Sequence, residues 1–197
     1  PAKAPERVRR RFDAEGVPLP PLCADLRELR DAIASFGNDA EPEALAWCDR
    51  RLARTPEMPD LPAAKLLPRT ALTPHPYQVE GAMFLARTGR ALLADEMGLG
   101  KTAQAIMAAV AMRKARTPVE HVTIVCPASL RSGWQEEIAR WVSEDAVLLE
   151  GPAPERARTI AMRPRWLVTH FEQVLRDHPV HAEHPPDLLV IDEAQRA

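Results

Sequence analysis

The chain has few cysteines, few lysines and few aromatic residues, and no long apolar run. Its three cysteines, Cys23, Cys48 and Cys126, lie far apart in 197 residues. They lack the close pairs that mark zinc sites or a small disulfide framework, so they read as buried thiols. No stretch reaches the roughly 18 uninterrupted apolar residues that a membrane span requires, and the Arg-rich beginning precedes no apolar signal core. The expected location is therefore cytoplasmic. Lysine occurs only at Lys3, Lys65, Lys101 and Lys114 among 26 basic residues, while alanine and proline are abundant. That bias suggests a GC-rich bacterium, with the nucleoid as the setting. An excess of positive charge is missing too: 26 basic against 28 acidic residues leave a net charge of −2. Such a chain cannot coat nucleic acid by bulk electrostatics, and any DNA contact must come from a local groove.

What is present is a globular composition, with 46% hydrophobic and 27% charged residues, enough for one ordinary core and a small appendage. Residues 1–21 mix proline with Arg7, Arg9, Arg10 and Arg11 and show no period that would bury a face, which describes a solvated basic tail. Residues 22–70 open with Leu22, Leu26, Leu29, Ile33 and Phe36 at helical spacing, stopped by Gly37 and Asn38. A second helix is expected after Pro42, then a linker punctuated by Pro56, Pro59, Pro62 and Pro68. From residue 71 to 197 short apolar runs alternate with helical segments. Strands are expected at Ala91–Ala94, Val122–Cys126, Ala146–Leu149, Trp166–Thr169 and Leu188–Ile191. Helices are expected at Thr102–Lys114, Leu130–Trp141, Pro154–Met162 and Phe171–Asp177. This is the rhythm of an α/β fold with a parallel sheet.

The segment Asp95-Glu96-Met97-Gly98-Leu99-Gly100-Lys101-Thr102 stands between an expected strand and an expected helix, the context of a phosphate-binding loop. Gly98 and Gly100 let the backbone approach phosphate oxygens, and the N–H groups opening the next helix face them. Lys101 supplies a point charge for the β and γ groups, and the Thr102 hydroxyl can ligate magnesium. The usual pattern begins with glycine where this chain has Asp95. Further on, the apolar run Leu188-Leu189-Val190-Ile191 ends in Asp192-Glu193, two carboxylates at the C-terminal edge of a strand, where open α/β sheets place ligands. Asp192 can hold magnesium through water, and Glu193 can orient or deprotonate an attacking water. His178, His181 and His184 recur at three-residue intervals, but Pro179, Pro185 and Pro186 break the helix that would align them, so a surface loop is expected there rather than a metal site. The charged residues after Leu130 read as an ordinary solvated helix face. So does Gln78 on its own residues.

Over residues 72–197 the chain resembles the Swi/Snf family of superfamily II helicase-like ATPases. The words that carry the resemblance are Pro76-Tyr77-Gln78-Val79-Glu80-Gly81, the loop Leu93 to Thr102, Ile124-Val125-Cys126-Pro127-Ala128-Ser129-Leu130 with Trp134 and Glu137, Thr169-His170-Phe171, and Asp192-Glu193-Ala194-Gln195. The resemblance implies a RecA-like P-loop NTPase lobe that uses ATP and Mg2+, and it makes Asp95 the expected residue at its position. It implies that Gln78 recognises adenine and that Gln195 couples nucleotide to a second RecA-like lobe. Pro127, Ser129, Leu130, Thr169 and His170 would touch double-stranded DNA. It also implies further motifs beyond Ala197, with an arginine finger on the second lobe. A chain limited to the first lobe is expected to bind nucleotide but hydrolyse it poorly, since such an arginine is worth about 10³ to 10⁵ in rate. The activity the resemblance implies is an ATP-dependent double-stranded DNA translocase or remodeller, and two other readings stand beside it. A strand-separating RNA or DNA helicase usually carries Pro-Thr-Arg where this chain has Pro127-Ala128-Ser129-Leu130. A nucleotide-gated binding module without turnover is less compatible with an intact Lys101, Thr102, Asp192 and Glu193.

Overall fold

The computed structural model describes residues 72–96 and 98–194, together with isolated positions between Arg30 and Met58. Residues 1–55 with 88–90 make one compact unit, and residues 56–87 with 91–197 the other. In the first unit Arg30, Asp31, Ala34, Pro42, Leu45, Ala46 and Asp49 are helical. Arg30 Nε donates to Asp49 Oδ1 at 2.8 Å, an exposed pair of the kind that contributes little stability. The remainder of the expected tail, helices and proline linker lies outside the described residues.

The second unit is α/β. Helix α1, Pro76–Thr88, starts on a proline whose fixed φ suits a first helical turn and buries Gln78, Ala82, Met83 and Ala86 along one stripe. Helix α2, Lys101–Met112, is rich in alanine and methionine, both strong helix formers, and buries eight of its side chains. Gly100, at φ +71°, turns the chain into it. Strand β1, Val122–Cys126, is buried at every residue, as expected of a strand covered on both faces. The chain then passes through a 3-10 turn, Ala128–Leu130, into α3, Arg131–Val142. Strand β2, Val147–Leu148, helix α4, Ala153–Ala161, strand β3, Trp166–His170, helix α5, Phe171–Glu183, and strand β4, Leu188–Ile191, complete the order.

The four strands form one parallel sheet in the order β2-β3-β1-β4. Parallel neighbours cannot be joined by hairpins, so the helices serve as crossovers. The core gathers Ile106, Met107, Ile124, Ile138, Trp166 and Val168, each almost fully buried. At its rim the Trp166 indole N–H donates to Glu144 Oε2 at 2.6 Å, and Arg113 makes two 2.7 Å bonds to the same carboxylate while its guanidinium lies 5.5 Å from the Trp166 ring centre. Burial alone would raise the Glu144 carboxyl, but the bonds from Arg113 and Trp166 and the nearby Arg165 charge together hold it below the usual range. On the other side Arg156 of α4 grips Asp177 of α5 through two 2.7 Å bonds.

The observed architecture is the expected parallel α/β lobe, with three local differences. Residues 91–94 form no strand. A short apolar run becomes a strand only when an edge pairs with it, and none of the described strands lies alongside; Leu92 is 76% exposed. The strand expected at Ala146–Leu149 contracts to two residues. The three histidines lie in no loop at their start, because α5 runs through Pro179 to Glu183. Pro179 and Leu175, the residue whose carbonyl loses its amide partner, are both exposed, so the interruption sits at the surface of the helix. Among the described residues no group of three or more metal-ligating side chains gathers, and no described helix is long and apolar enough to cross a membrane.

Candidate functional site

Strand register brings the candidate residues to one edge. Cys126 pairs with His170 and Val125 with Ile191, so β1, β3 and β4 end side by side. The Asp192 amide donates to Val125 O at 2.9 Å, which extends the pairing by one residue and fixes where the carboxylate leaves the sheet. Asp192 Oδ1 then accepts from the Glu193 amide at 2.9 Å, and Oδ2 accepts from the Trp134 indole N–H at 2.9 Å. Glu193 has φ +52°, a conformation that costs a non-glycine residue and that turns the chain sharply off the strand. Beneath them Cys126 is fully buried. Burial first, and the Asp192 charge second, push its thiol up to about 11, with Arg131 opposing.

The loop before α2 faces these carboxylates. Gly98 and Gly100 both have positive φ, +84° and +71°, so two successive bends bring backbone N–H groups toward the helix start. Lys101 Nζ donates to Asp95 O at 2.8 Å and Glu96 O at 2.9 Å, which folds the ammonium across its own loop. Asp95 has a structural role that accounts for its presence where glycine is usual: its Oδ2 accepts from Gln104 Nε2 at 2.9 Å, and Gln104 is completely buried in α2. Gln78 is not the solvated residue its local sequence suggests. It is 7% exposed, accepts from the His75 amide at 2.9 Å and donates to Leu99 O at 3.4 Å. A Cβ at Gly100 would sit 2.3 Å from Gln78 Nε2, so a side chain there would displace the Gln78 amide and strain the backbone at φ +71°.

Gln78, Gly98, Gly100, Lys101, Thr102, Asp192 and Glu193 line one cleft of about 580 Å³. The donors that meet there, a threonine hydroxyl and two carboxylates, are the hard oxygen ligands magnesium prefers, and the positive end of α2 with Lys101 suits a phosphate. The residues expected to hold a nucleotide and its cation are therefore together, except Gln195, which lies outside the described residues. Sequence reasoning missed the third wall. Glu137, Arg140 and Trp141 of α3 also line the cleft, and Trp141 Nε1 donates to Glu137 Oε2 at 2.9 Å. The signal was available in Trp134, Ile138 and Trp141, whose spacing marks the buried face of α3.

The candidate nucleic-acid residues divide. Pro127 is half-buried, while Ser129 and Leu130 are exposed on the 3-10 turn beyond β1. His170, at the end of the neighbouring strand, pairs with Glu172 at 2.8 Å. Thr169 is a correction: its side chain is fully buried and its hydroxyl donates to Gln173 Oε1 at 3.1 Å, so it presents no side chain to a nucleic acid.

Comparison with known proteins gives concordant results. A family model described as SNF2-related domain matches residues 77–197. The chain is 33% identical over 126 residues to the DNA repair protein rhp54 of Schizosaccharomyces pombe, covering 55% of this chain and 15% of that protein. It is 52% identical over 121 residues to the SWI/SNF-related matrix-associated actin-dependent regulator of chromatin subfamily A-like protein 1 homolog of Caenorhabditis elegans, covering 60% of this chain and 17% of that one. A solved structure of the Sulfolobus solfataricus SWI2/SNF2 ATPase core in complex with dsDNA superposes with a TM-score of 0.57 at 27% identity, covering 66% of this chain and 28% of that chain. The chain thus spans less than a fifth of the length of these two curated relatives. None of the three source organisms is a bacterium, so they lend no support to a bacterial nucleoid.

Proposed function

Because this chain belongs to the SNF2-related domain family, we propose that it is the first, ATP-binding lobe of a double-stranded DNA translocase or remodeller. The observation that carries this is the meeting of Lys101, Thr102, Asp192 and Glu193 in one cleft at the C-terminal edge of a parallel sheet. The nucleotide phosphates would lie over the Gly98–Gly100 loop, competing with Asp95 O and Glu96 O for the Lys101 ammonium. Magnesium, held by the Thr102 hydroxyl and through water by Asp192, would screen the β and γ oxygens. Glu193 accepts a proton from a water attacking the γ-phosphorus, the bond to the β-bridging oxygen breaks, and ADP and phosphate leave. Gln78 would read the adenine edge, its amide held by the His75 N–H and the Leu99 carbonyl. Duplex DNA would run across Pro127–Leu130 and His170, and a second RecA-like lobe would close the cleft and contribute the arginine that offsets transition-state charge.

The full-length protein tests this when ATP hydrolysis is compared without nucleic acid and with duplex DNA, single-stranded DNA and RNA, beside Lys101→Ala. Stimulation chiefly by duplex, lost in Lys101→Ala, is the expected result. Preference for single strands or RNA would favour a strand-separating helicase, and absence of turnover with every nucleic acid would leave a nucleotide-gated binding module.

A further inference from the structure

Three buried indoles in this unit each donate to a carboxylate, and one of them has an unexpected partner. Trp166 joins the Arg113–Glu144 cluster outside the cleft, and Trp141 bonds Glu137 one turn away on its own helix. Trp134 reaches Asp192, 58 residues away in sequence, at 2.9 Å. Trp134 is 5% exposed, and a phenylalanine or leucine could fill much of that volume. Only an N–H donor meets Oδ2, however, and an indole N–H buried without an acceptor would cost free energy. The other oxygen of Asp192 is already committed to the Glu193 amide. Both oxygens are therefore oriented, one by the strand's own turn and one by a helix that starts directly after the Pro127–Leu130 turn.

We propose that Trp134 is a positioning residue: its indole N–H fixes Asp192 in the orientation that receives the hydrated cation, and so ties the turn after β1 to the nucleotide cleft. The inference rests on the reading of the cleft as a magnesium-nucleotide site. Outer-shell groups that orient a metal-facing carboxylate act on cation affinity rather than on the contacts that hold the rest of the ligand, and their removal costs about 10- to 100-fold. Trp134→Phe removes the N–H and keeps an aromatic ring. Its effect is confined to the magnesium-dependent part of nucleotide binding, whereas a packing defect would weaken binding with and without magnesium.

The test is isothermal titration of the full-length protein with ADP, in magnesium and in EDTA. Wild type should bind more tightly with magnesium, and Trp134→Phe should lose about 10- to 100-fold of that gain with its magnesium-free affinity unchanged. Trp166→Phe, which loses a buried indole bond outside the cleft, should keep the gain. In an Asp192→Asn background, adding Trp134→Phe should change nothing further. An undiminished magnesium gain in Trp134→Phe, or equal weakening with and without magnesium, overturns the proposal. A wild-type protein with no magnesium-dependent binding would instead remove the cleft reading, and the proposal with it. Should Trp134→Phe fail to fold, 15N-tryptophan spectra read the same bond. An indole resonance moved by Asp192→Asn should also move when magnesium and ADP are added to wild type, and an indole spectrum indifferent to both rules the bond out.

Discussion

Gly81→Ala is a substitution whose sign is decided by tertiary contact. Gly81 lies inside α1, where replacing glycine with alanine ordinarily stabilises a helix by about 1 kcal/mol. A Cβ at this position would meet Gln104 Oε1 at 1.8 Å and Gln104 Cδ at 2.9 Å. Gln104 is fully buried, so its amide cannot swing into solvent, and moving it breaks the 2.9 Å bond to Asp95 Oδ2. Overpacking costs about 1–3 kcal/mol, and a hydrogen bond to a charged group contributes about 1.5–3 kcal/mol. After subtracting the helix gain, the expected net destabilisation is about 1.5–5 kcal/mol, a fall in Tm of roughly 3–20 °C for a chain of this size. Thermal and urea unfolding of Gly81→Ala measure it, and Gly81→Ala with Gln104→Ala should recover part of the loss because the obstructing amide is gone. A Gly81→Ala protein as stable as wild type, or more so, would refute the close packing of α1 against α2 and the anchoring of the loop through Asp95.

Two further outcomes follow from the charged and buried groups. Arg156 bonds hold the Asp177 carboxyl below its ordinary range against the opposing effect of burial, and Glu144 is likewise depressed. Groups whose folded values are lowered contribute fully above the unfolded value and lose that contribution as pH falls through the folded one. Urea unfolding should therefore show stability declining below roughly pH 4, the ordinary carboxylate range, and Asp177→Asn with Glu144→Gln should flatten that decline; an unchanged slope would contradict the two clusters. Cys126, fully buried and pushed up to about 11, should resist iodoacetamide at pH 8 in native protein and react after unfolding. Peptide-resolved mass spectrometry separates it from Cys23 and Cys48, and rapid native labelling would contradict the packing beneath Asp192.

Much of the sheet was legible because its strands are short apolar runs rich in Val, Ile and Leu, whether buried at every residue like the central β1 or partly exposed like the edge strand β4. Val122–Cys126 and Leu188–Ile191 appear with the expected bounds. The bend into α2 was legible from Gly98 and Gly100, whose positive φ is a local conformational demand. Ala91–Ala94 was misread because strand formation depends on a neighbouring edge that no local pattern reveals. Pro179 was misread because an interior proline raises the cost of a helix without always ending it, and packing elsewhere along α5 decides the outcome. Gln78 was misread in isolation because a polar side chain is buried when distant groups satisfy it, here His75 and Leu99. The bond from Trp134 to Asp192 has no signature in either segment, since it exists only once β4 pairs with β1 and α3 packs against the sheet.

The most direct test of ATP-driven movement along a duplex is displacement of a third strand from a DNA triplex by the full-length protein. ATP-dependent release of the third strand with the underlying duplex intact, and no release by Lys101→Ala, is the expected result. Separation of the duplex strands, or release that proceeds equally without ATP, would contradict it.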